Sequence, residues 1–430
     1  ERCGLAEDLL EGTGHLFGKV PGGLAYAVIL VGAVLGAITG TVAASVIAMG
    51  VISLPIMMRY GYNMRIATGV IAASGTITQL IPPSLVLILL ADQLGRSVGD
   101  MYRGAIGPSV LQVILFALFI LAVSIMRPHY VPPLPADIRV ERGWPLIRRI
   151  LWGMIPSIVL IFLVLGTIFL GLATPTEAGA MGAIGALVLA AMHNRLTWPL
   201  VRQAMESTMR LTSMVVFILI GSTVFTLVFQ GMDGAHWIEH LLTGLPGGQI
   251  GFLIFVNVFI FFLAFFLDFF EIAFIIIPLL APVASALGID LVWFGVLLCV
   301  NMQTSFMHPP FGFALFYLRG IAPREVNSSD IYLGAIPWVA LQIILVAIVI
   351  IWPETVSTFL KAEKVIDPST IELNVPMPDA AAPGGGGNPF GEEGAQNPFE
   401  TPGDTAPAAP DFGAPADGAL PPPDFGAPAK

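Results

Sequence analysis

Charge is scarce in this sequence: Asp, Glu, Lys and Arg make up only 11% of its 430 residues. About a quarter is usual for globular chains, so a water-facing surface cannot be assembled from this composition. Cysteine is scarcer still. Cys3 and Cys299 are too few and too far apart for a disulfide framework or a zinc site. Cys299, inside an apolar run, reads as a small buried hydrophobe. No block of basic residues is present, which argues against nucleic-acid binding. His-Glu-x-x-His does not occur, and Gly-x-Ser-x-Gly occurs only at Gly95-Arg-Ser-Val-Gly99, with no strand pattern before it, so a membrane-embedded hydrolase lacks a metal motif and a nucleophile in its required setting. The chain is accordingly read as no enzyme, with no transition-metal site. No signal peptide precedes the first apolar run, and the sequence opens on Glu1 rather than Met. It is expected to be a copy without its N-terminal spans.

What the sequence does have is apolar length. Hydrophobic residues reach 56%, mean hydropathy is +0.85, and several charge-free runs approach or exceed the roughly 20 residues that cross a bilayer as a helix. The chain is read as an all-α polytopic membrane protein in contact with lipid. Its net charge of −10 sits almost wholly in the tail, where ten acids and one base follow residue 366, a net −9. That tail, 367–430, is rich in Pro, Gly, Ala and acids, with Asn388-Pro-Phe repeated at Asn397 and Asp411-Phe-Gly-Ala-Pro-Ala repeated at Asp424. Such a composition buries too little apolar surface to fold alone.

One motif occurs twice. Gly69-Val-Ile-Ala-Ala-Ser-Gly-Thr-Ile-Thr-Gln-Leu-Ile-Pro-Pro83 is matched by Gly295-Val-Leu-Leu-Cys-Val-Asn-Met-Gln-Thr-Ser-Phe-Met-His-Pro-Pro310. Neither surrounding run, 66–91 or 291–318, contains a charged residue. Proline removes a backbone donor and clashes with the preceding turn, so each diproline predicts a broken helix. Carbonyls freed in lipid cost several kcal/mol each unless something satisfies them. A cation, a substrate, water or another helix is therefore expected at each break.

Taken in order, residues 1–22 are an interfacial or cytoplasmic segment. Residues 23–61 are apolar but interrupted at Gly36-Ala-Ile-Thr-Gly-Thr41. They predict a re-entrant helical hairpin with its tip at Thr39-Gly40-Thr41, two short spans being the alternative. The first broken helix follows, so 23–91 is the first repeat. Spans at 105–126, 147–170, 176–193 and 211–230 fill 92–249, mostly scaffold. A second hairpin, 250–288, has its tip at Leu267-Asp268-Phe269, and the second broken helix completes a second repeat, 250–319. A last span, 334–352, lies in 320–366. Four spans between the copies invert one relative to the other, an arrangement common among secondary transporters. On that topology fourteen of the nineteen Lys and Arg fall on one side, and only Arg96, Arg103, Lys361, Lys364 and Lys430 on the other. Positive residues mark the cytoplasmic side, which puts the tail outside.

The polar groups at the breaks are the candidate site. Hydroxyl, amide and carbonyl oxygens are hard ligands suited to Na⁺, and half-helix ends can face both an anion and a cation. Thr39, Gly40 and Thr41 pair with Ser74, Gly75 and Thr76 as one ion site. Asp268 with Asn301, Gln303, Thr304 and Ser305 is the other. Thr78, Gln79, Pro82, Pro83, His308, Pro309 and Pro310 are read as substrate-facing. The plainer alternative is that these groups only bond across packed helices. Asp268 and Glu271 are acids in an apolar run, hence functional candidates by default, or simply solvated at the hairpin tip. Thr174-Pro-Thr-Glu177 reads as a capping box, a structural role for Thr174 and Glu177.

These residues resemble a known family. Ala73-Ser-Gly-Thr-Ile-Thr-Gln-Leu-Ile-Pro-Pro-Ser84, Ala173-Thr-Pro-Thr-Glu-Ala178, Phe266-Leu-Asp268 and Trp293-Phe-Gly-Val296 are similar, in order, to the large membrane subunit of TRAP (tripartite ATP-independent periplasmic) transporters, over roughly residues 1–355. The resemblance implies Na⁺-coupled import of organic acids, commonly carboxylates, across the bacterial inner membrane by an elevator mechanism. It also implies two partners, a small membrane subunit and a periplasmic substrate-binding protein, and no cofactor beyond the coupling ion; in such a membrane the tail that span parity puts outside is periplasmic. Carried over, Thr39–Thr41 with Ser74–Thr76 form one Na⁺ site, and Asp268 with 301–305 line the second. Two features depart from the pattern. Gln303-Thr-Ser-Phe-Met-His-Pro-Pro310 replaces the commoner Gly-Leu-Ile-Thr-Pro-Pro, resembling a subgroup associated with 2-oxo acids and other monocarboxylates. The family also carries further N-terminal spans. A standalone Na⁺- or H⁺-coupled anion or dicarboxylate symporter is the alternative.

Overall fold

The computed structural model describes residues 20–135 and 158–360, with residues 13, 17, 148, 155 and 156 beside them. Most of the expected interfacial segment, the first part of the 147–170 span and the whole acidic tail lie outside the described residues. The described elements are helical. Six helices among them are long and apolar enough to cross a membrane, and a seventh if the bent pair Gly234–Thr243 and Gly248–Leu263, which meet at 118°, counts as one span.

The first apolar stretch folds as two helices, α1 (Gly23–Thr39) and α2 (Val42–Arg59), packed on each other. Gly40 makes the turn. Its φ of +63° is left-handed, and its amide donates to Gly36 O at 3.3 Å, a conformation glycine adopts without a Cβ penalty. Helix α3 (Met64–Thr76) tightens into a 3-10 turn at Ile77–Gln79. It restarts after the prolines as α4 (Leu85–Gln93), capped by Ser84. Helix α5 (Val98–Met126) follows, then the apolar helix α6 (Ile158–Phe169).

Helix α7 (Pro175–Met192) starts on the expected box: Glu177 N donates to Thr174 Oγ1 at 3.4 Å, and Thr174 N donates to Glu177 Oε2 at 2.8 Å. Thr174→Ala removes the acceptor for an otherwise orphaned helix N–H. It is expected to destabilise the protein by about 1 kcal/mol, which thermal unfolding in detergent would check.

Helix α8 (Trp198–Gly231) begins thirteen residues before the span expected at 211, and α9 (Gly234–Thr243) was not anticipated as a helix. Hydropathy reports transfer to lipid, not helicity. The polar half of α8 is helical because Thr197 caps Leu200 N at 3.4 Å and Arg202 pairs with Glu206 one turn on at 2.9 Å. Only Ala178 and Ala190 of α7 and Ser222 of α8 are buried.

The second apolar stretch gives α10 (Gly248–Leu263) and α11 (Phe269–Ala286), which carries a π turn at Ile272–Ile276. The second broken helix is α12 (Leu291–Met302) with a 3-10 turn at Gln303–Phe306, resuming as α13 (Phe313–Ile321). Helices α14 (Ser328–Ile351) and α15 (Glu354–Ser357) end the described chain.

The two broken helices form the centre. Every residue of α3 from Ala67 to Thr76 is buried, as is every residue of α12 except Trp293. A helix apolar on all sides must be surrounded. Helix α3 lies among α1, α2 and α14, and α12 among α4, α5, α10 and α14.

Candidate functional site

Burial of the breaks forces a question on every polar atom in them, because each needs a partner. At the first break Ser74, Thr76, Thr78 and Gln79 are all buried. The first hairpin lies directly over them. A Cβ added to Gly32 of α1 would sit 2.7 Å from Ser74 Cβ, and one on Gly36 would sit 3.0 Å from Thr78 Cα. On the other arm, a Cβ on Gly75 would meet Val46 of α2 at 2.2 Å. Small residues here let backbones approach as they do in membrane bundles.

Several hydroxyls of both breaks donate to carbonyls of their own helix. Thr76 Oγ1 donates to Ala73 O at 2.9 Å and Thr78 Oγ1 to Gly75 O at 2.9 Å. Thr304 Oγ1 donates to Asn301 O at 2.7 Å and Ser305 Oγ to Met302 O at 2.6 Å. A hydroxyl whose proton is spent this way presents lone pairs alone, the arrangement a hard cation needs. Downstream, Gln79 O accepts from Cys299 Sγ at 3.2 Å and from Ser84 Oγ, and Leu80 O accepts from Ser109 Oγ at 3.1 Å. So the second repeat helps to satisfy the first break.

The hairpin arms, rather than the tip, carry these contacts. Thr39, Gly40 and Thr41 are half-buried, a Cβ on Gly40 would meet nothing within 4 Å, and Thr39 Oγ1 pairs with Ser45 Oγ at 2.6 Å. The tip therefore faces open space beside the break.

At the second break Asn301, Gln303, Thr304 and Ser305 are buried, and Asn301 Nδ2 donates to Asn257 O at 2.7 Å and Asn257 Oδ1 at 3.1 Å on α10. Asp268 holds the N-cap position of α11 without capping it, and its Oδ1 is buried with no hydrogen-bond partner. Glu271 Oε2, one turn on, is in the same state. His308 is packed between Phe261 and Phe265, ring centroids 4.3 and 4.1 Å away, with both nitrogens unpartnered. The Pro82–Pro83 and Pro309–Pro310 bonds are cis. Pro82 lines an apolar cavity of about 380 Å³ with Ile81, Ile106, Ser109, Val113 and Phe169.

The sequence reading missed buried polar residues that the fold delivers to the breaks, among them Ser109, Gln112, Asn257 and Gln342. Gln112 Nε2 donates to Gln303 Oε1 at 2.6 Å, and Gln342 Nε2 to Thr76 Oγ1 at 3.3 Å. A signal for the two glutamines was present. Asp100-x-Tyr-x-Gly-Ala-Ile-x4-Leu-Gln112 recurs as Asp330-x-Tyr-x-Gly-Ala-Ile-x4-Leu-Gln342, a repeat the diproline motif overshadowed.

Comparison with known proteins bears on what such a centre does. A family model described as "Tripartite ATP-independent periplasmic transporter, DctM component" matches residues 1–355. The C4-dicarboxylate TRAP transporter large permease protein DctM of Pseudomonas aeruginosa is 30% identical over 81% of this chain and 79% of its own length. Its counterpart in Vibrio cholerae is 29% identical over 83% and 81%. The sialic acid TRAP transporter large permease protein SiaM of Vibrio cholerae is 26% identical over 82% and 81%.

Proposed function

Because this chain belongs to the DctM component of the tripartite ATP-independent periplasmic transporters, we propose that it imports an organic acid with Na⁺ as the coupling ion. The coarser statement stands on the family: it is a large permease subunit, a multi-pass inner-membrane transporter and not an enzyme. Permeases of this family work with a small membrane subunit and a periplasmic binding protein. The relatives named for C4-dicarboxylate and sialic acid direct the substrate search to carboxylates, and the second break directs it first to 2-oxo and other monocarboxylates.

The observation that carries the sodium reading is the oxygen set at the two breaks. Neutral hydroxyls and carbonyls crowd the first, and the Asp268 carboxylate, whose Oδ1 is buried without a hydrogen bond, adds charge near the second. Substrate would meet the face that both breaks share. An elevator motion would carry hairpins and broken helices past the scaffold of α7 and α8. The count of positive residues favours a periplasmic tail. A standalone symporter is the weaker reading, since the matched relatives are TRAP subunits.

Uptake into proteoliposomes holding both membrane subunits, with acid-loaded binding protein outside, is the test. Each net charge carried inward through 100 mV supplies about 2.3 kcal/mol, close to fifty-fold accumulation. Replacing Na⁺ by choline at constant ionic strength is expected to abolish that accumulation. Undiminished uptake in choline would end the sodium reading. Uptake without the binding protein would revive the standalone symporter.

A further inference from the structure

The internal repeat is longer than hairpin plus broken helix. Residues 97–115 and 327–345 align without a gap, and Asp100, Tyr102, Gly104, Ala105, Ile106, Leu111, Gln112, Ile114 and Leu115 each find the same residue 230 positions later. Each repeat therefore ends in a third helix, α5 in the first and α14 in the second. The structure places these third helices across the repeat boundary. Helix α14 packs on α3, the broken helix of the first repeat, and α5 packs on α12, that of the second.

The glutamines follow the same exchange. Counted back from the diproline, Thr76 stands six residues before Pro82 and Gln303 six before Pro309. They are equivalent positions of the two breaks. Gln112 and Gln342 are equivalent positions of the two third helices. Gln112 of the first repeat bonds Gln303 of the second, and Gln342 of the second bonds Thr76 of the first. When position i of one copy meets j of the other, and j of the first meets i of the second, the contact is that of a two-fold relation.

All four residues are buried, with relative exposures of 2% or less. Gln112 Oε1 and Gln342 Oε1 have no partner, and neither has Gln303 Nε2. An isolated buried amide group is costly to leave unsatisfied, and a core glutamine kept only for packing would be replaceable by leucine or methionine. Each glutamine instead donates to the opposite break, Gln342 also reaching Met307 Sδ of its own repeat at 3.8 Å, and leaves its acceptor open.

We propose that Gln112 and Gln342 are paired positioning residues, each fixing the ligand geometry of the opposite repeat's break, so that cation binding at either break is set by both halves of the chain. The proposal rests on the sodium reading above, and its test separates the two. The probe is NaCl, against choline chloride, added to purified protein while its thermal unfolding is followed, with uptake measured in parallel. Gln112→Leu and Gln342→Leu are each expected to raise the sodium half-saturation about tenfold, the equivalent of one buried hydrogen bond. The half-saturation for loaded binding protein should not change. Gln112→Met and Gln342→Met preserve volume and repeat the measurement should the leucine variants fail to fold.

The pairing itself is read from double substitutions. Gln112→Leu with Gln303→Leu, and Gln342→Leu with Thr76→Val, should raise the sodium requirement no further than the stronger single change. The crossed pairs, Gln112→Leu with Thr76→Val and Gln342→Leu with Gln303→Leu, should multiply. An unchanged sodium requirement in folded single variants would overturn the proposal. So would multiplication within the bonded pairs. If wild-type protein shows no sodium-dependent shift, the sodium reading fails. The same cycles scored on uptake then decide the pairing alone, and multiplication within the bonded pairs would again overturn it.

Discussion

Asp268→Asn is expected to lower sodium-driven uptake more than a hundredfold while leaving the protein folded. The argument starts from burial. Asp268 opens α11 in extended backbone and does not cap it, and its Oδ1 is enclosed without a hydrogen bond. A buried charge without a partner is costly, and breaking a buried charge pair typically costs about 3 kcal/mol or more, a factor above a hundred. Asp268 is half-buried and accepts a hydrogen bond from the Phe269 backbone, so it is the enclosed Oδ1 that a cation or a proton would satisfy. Asparagine keeps the volume and one oxygen but removes the charge that would attract Na⁺. The signature is a divergence: in sodium-free buffer Asp268→Asn should unfold no earlier than wild type, because its repulsion with Glu271 is gone, yet it should gain no stability when NaCl is added. Uptake by Asp268→Asn with an unaltered sodium requirement would remove Asp268 from the ion path.

The second large effect lies away from oxygen chemistry. Helices α3 and α14 cross at Gly69 and Gly334. A Cβ on Gly69 would lie 2.3 Å from Gly334 O and 2.5 Å from Trp338 Nε1, and a Cβ on Gly334 would lie 2.3 Å from Arg65 O. Backbone oxygens cannot swing aside as a flexible side chain does. Gly69→Val or Gly334→Val must therefore push the helices apart, and overpacking of this kind costs about 1–3 kcal/mol, more where backbone atoms are in the way. The same crossing seats Gln342 against Thr76. Loss of monodisperse protein on gel filtration and a lowered unfolding temperature are the expected outcomes. Gly40→Ala is the contrast: its φ is +63° but nothing stands within 4 Å, so the cost reduces to left-handed strain of about 1 kcal/mol. If Gly69→Val unfolds no earlier than Gly40→Ala, the crossing is looser than the structure shows.

Much of the centre was legible because its causes are local. Proline breaks a helix whatever surrounds it, so both interruptions could be read from Pro82-Pro83 and Pro309-Pro310. A left-handed turn at Gly40 and a box at Thr174–Glu177 depend on residues within a turn or two of each other. The same locality explains a limit of the reading. Hydropathy stopped α8 at its lipid-soluble half, while capping and the Arg202–Glu206 pair carry the helix further. The hydroxyls at the breaks were visible as polar groups, but not their bonds. That Thr76, Thr78, Thr304 and Ser305 bond back onto their own helices, and that His308 is enclosed by Phe261 and Phe265, depends on rotamers and neighbours.

By itself the sequence determined that this chain lives in lipid, that two of its helices must break, and that two carboxylates, Asp268 and Glu271, stand in the apolar run before one break. Composition and proline chemistry settle those points at short range. Tertiary structure alone decided which groups meet. Gln112 reaches Gln303 across 191 residues and Gln342 reaches Thr76 across 266, and no local preference specifies contacts that distant. They arise because α5 and α14 each bury against the other repeat's broken helix. A polar side chain shut into an apolar interior then bonds whatever acceptor the packing brings within reach.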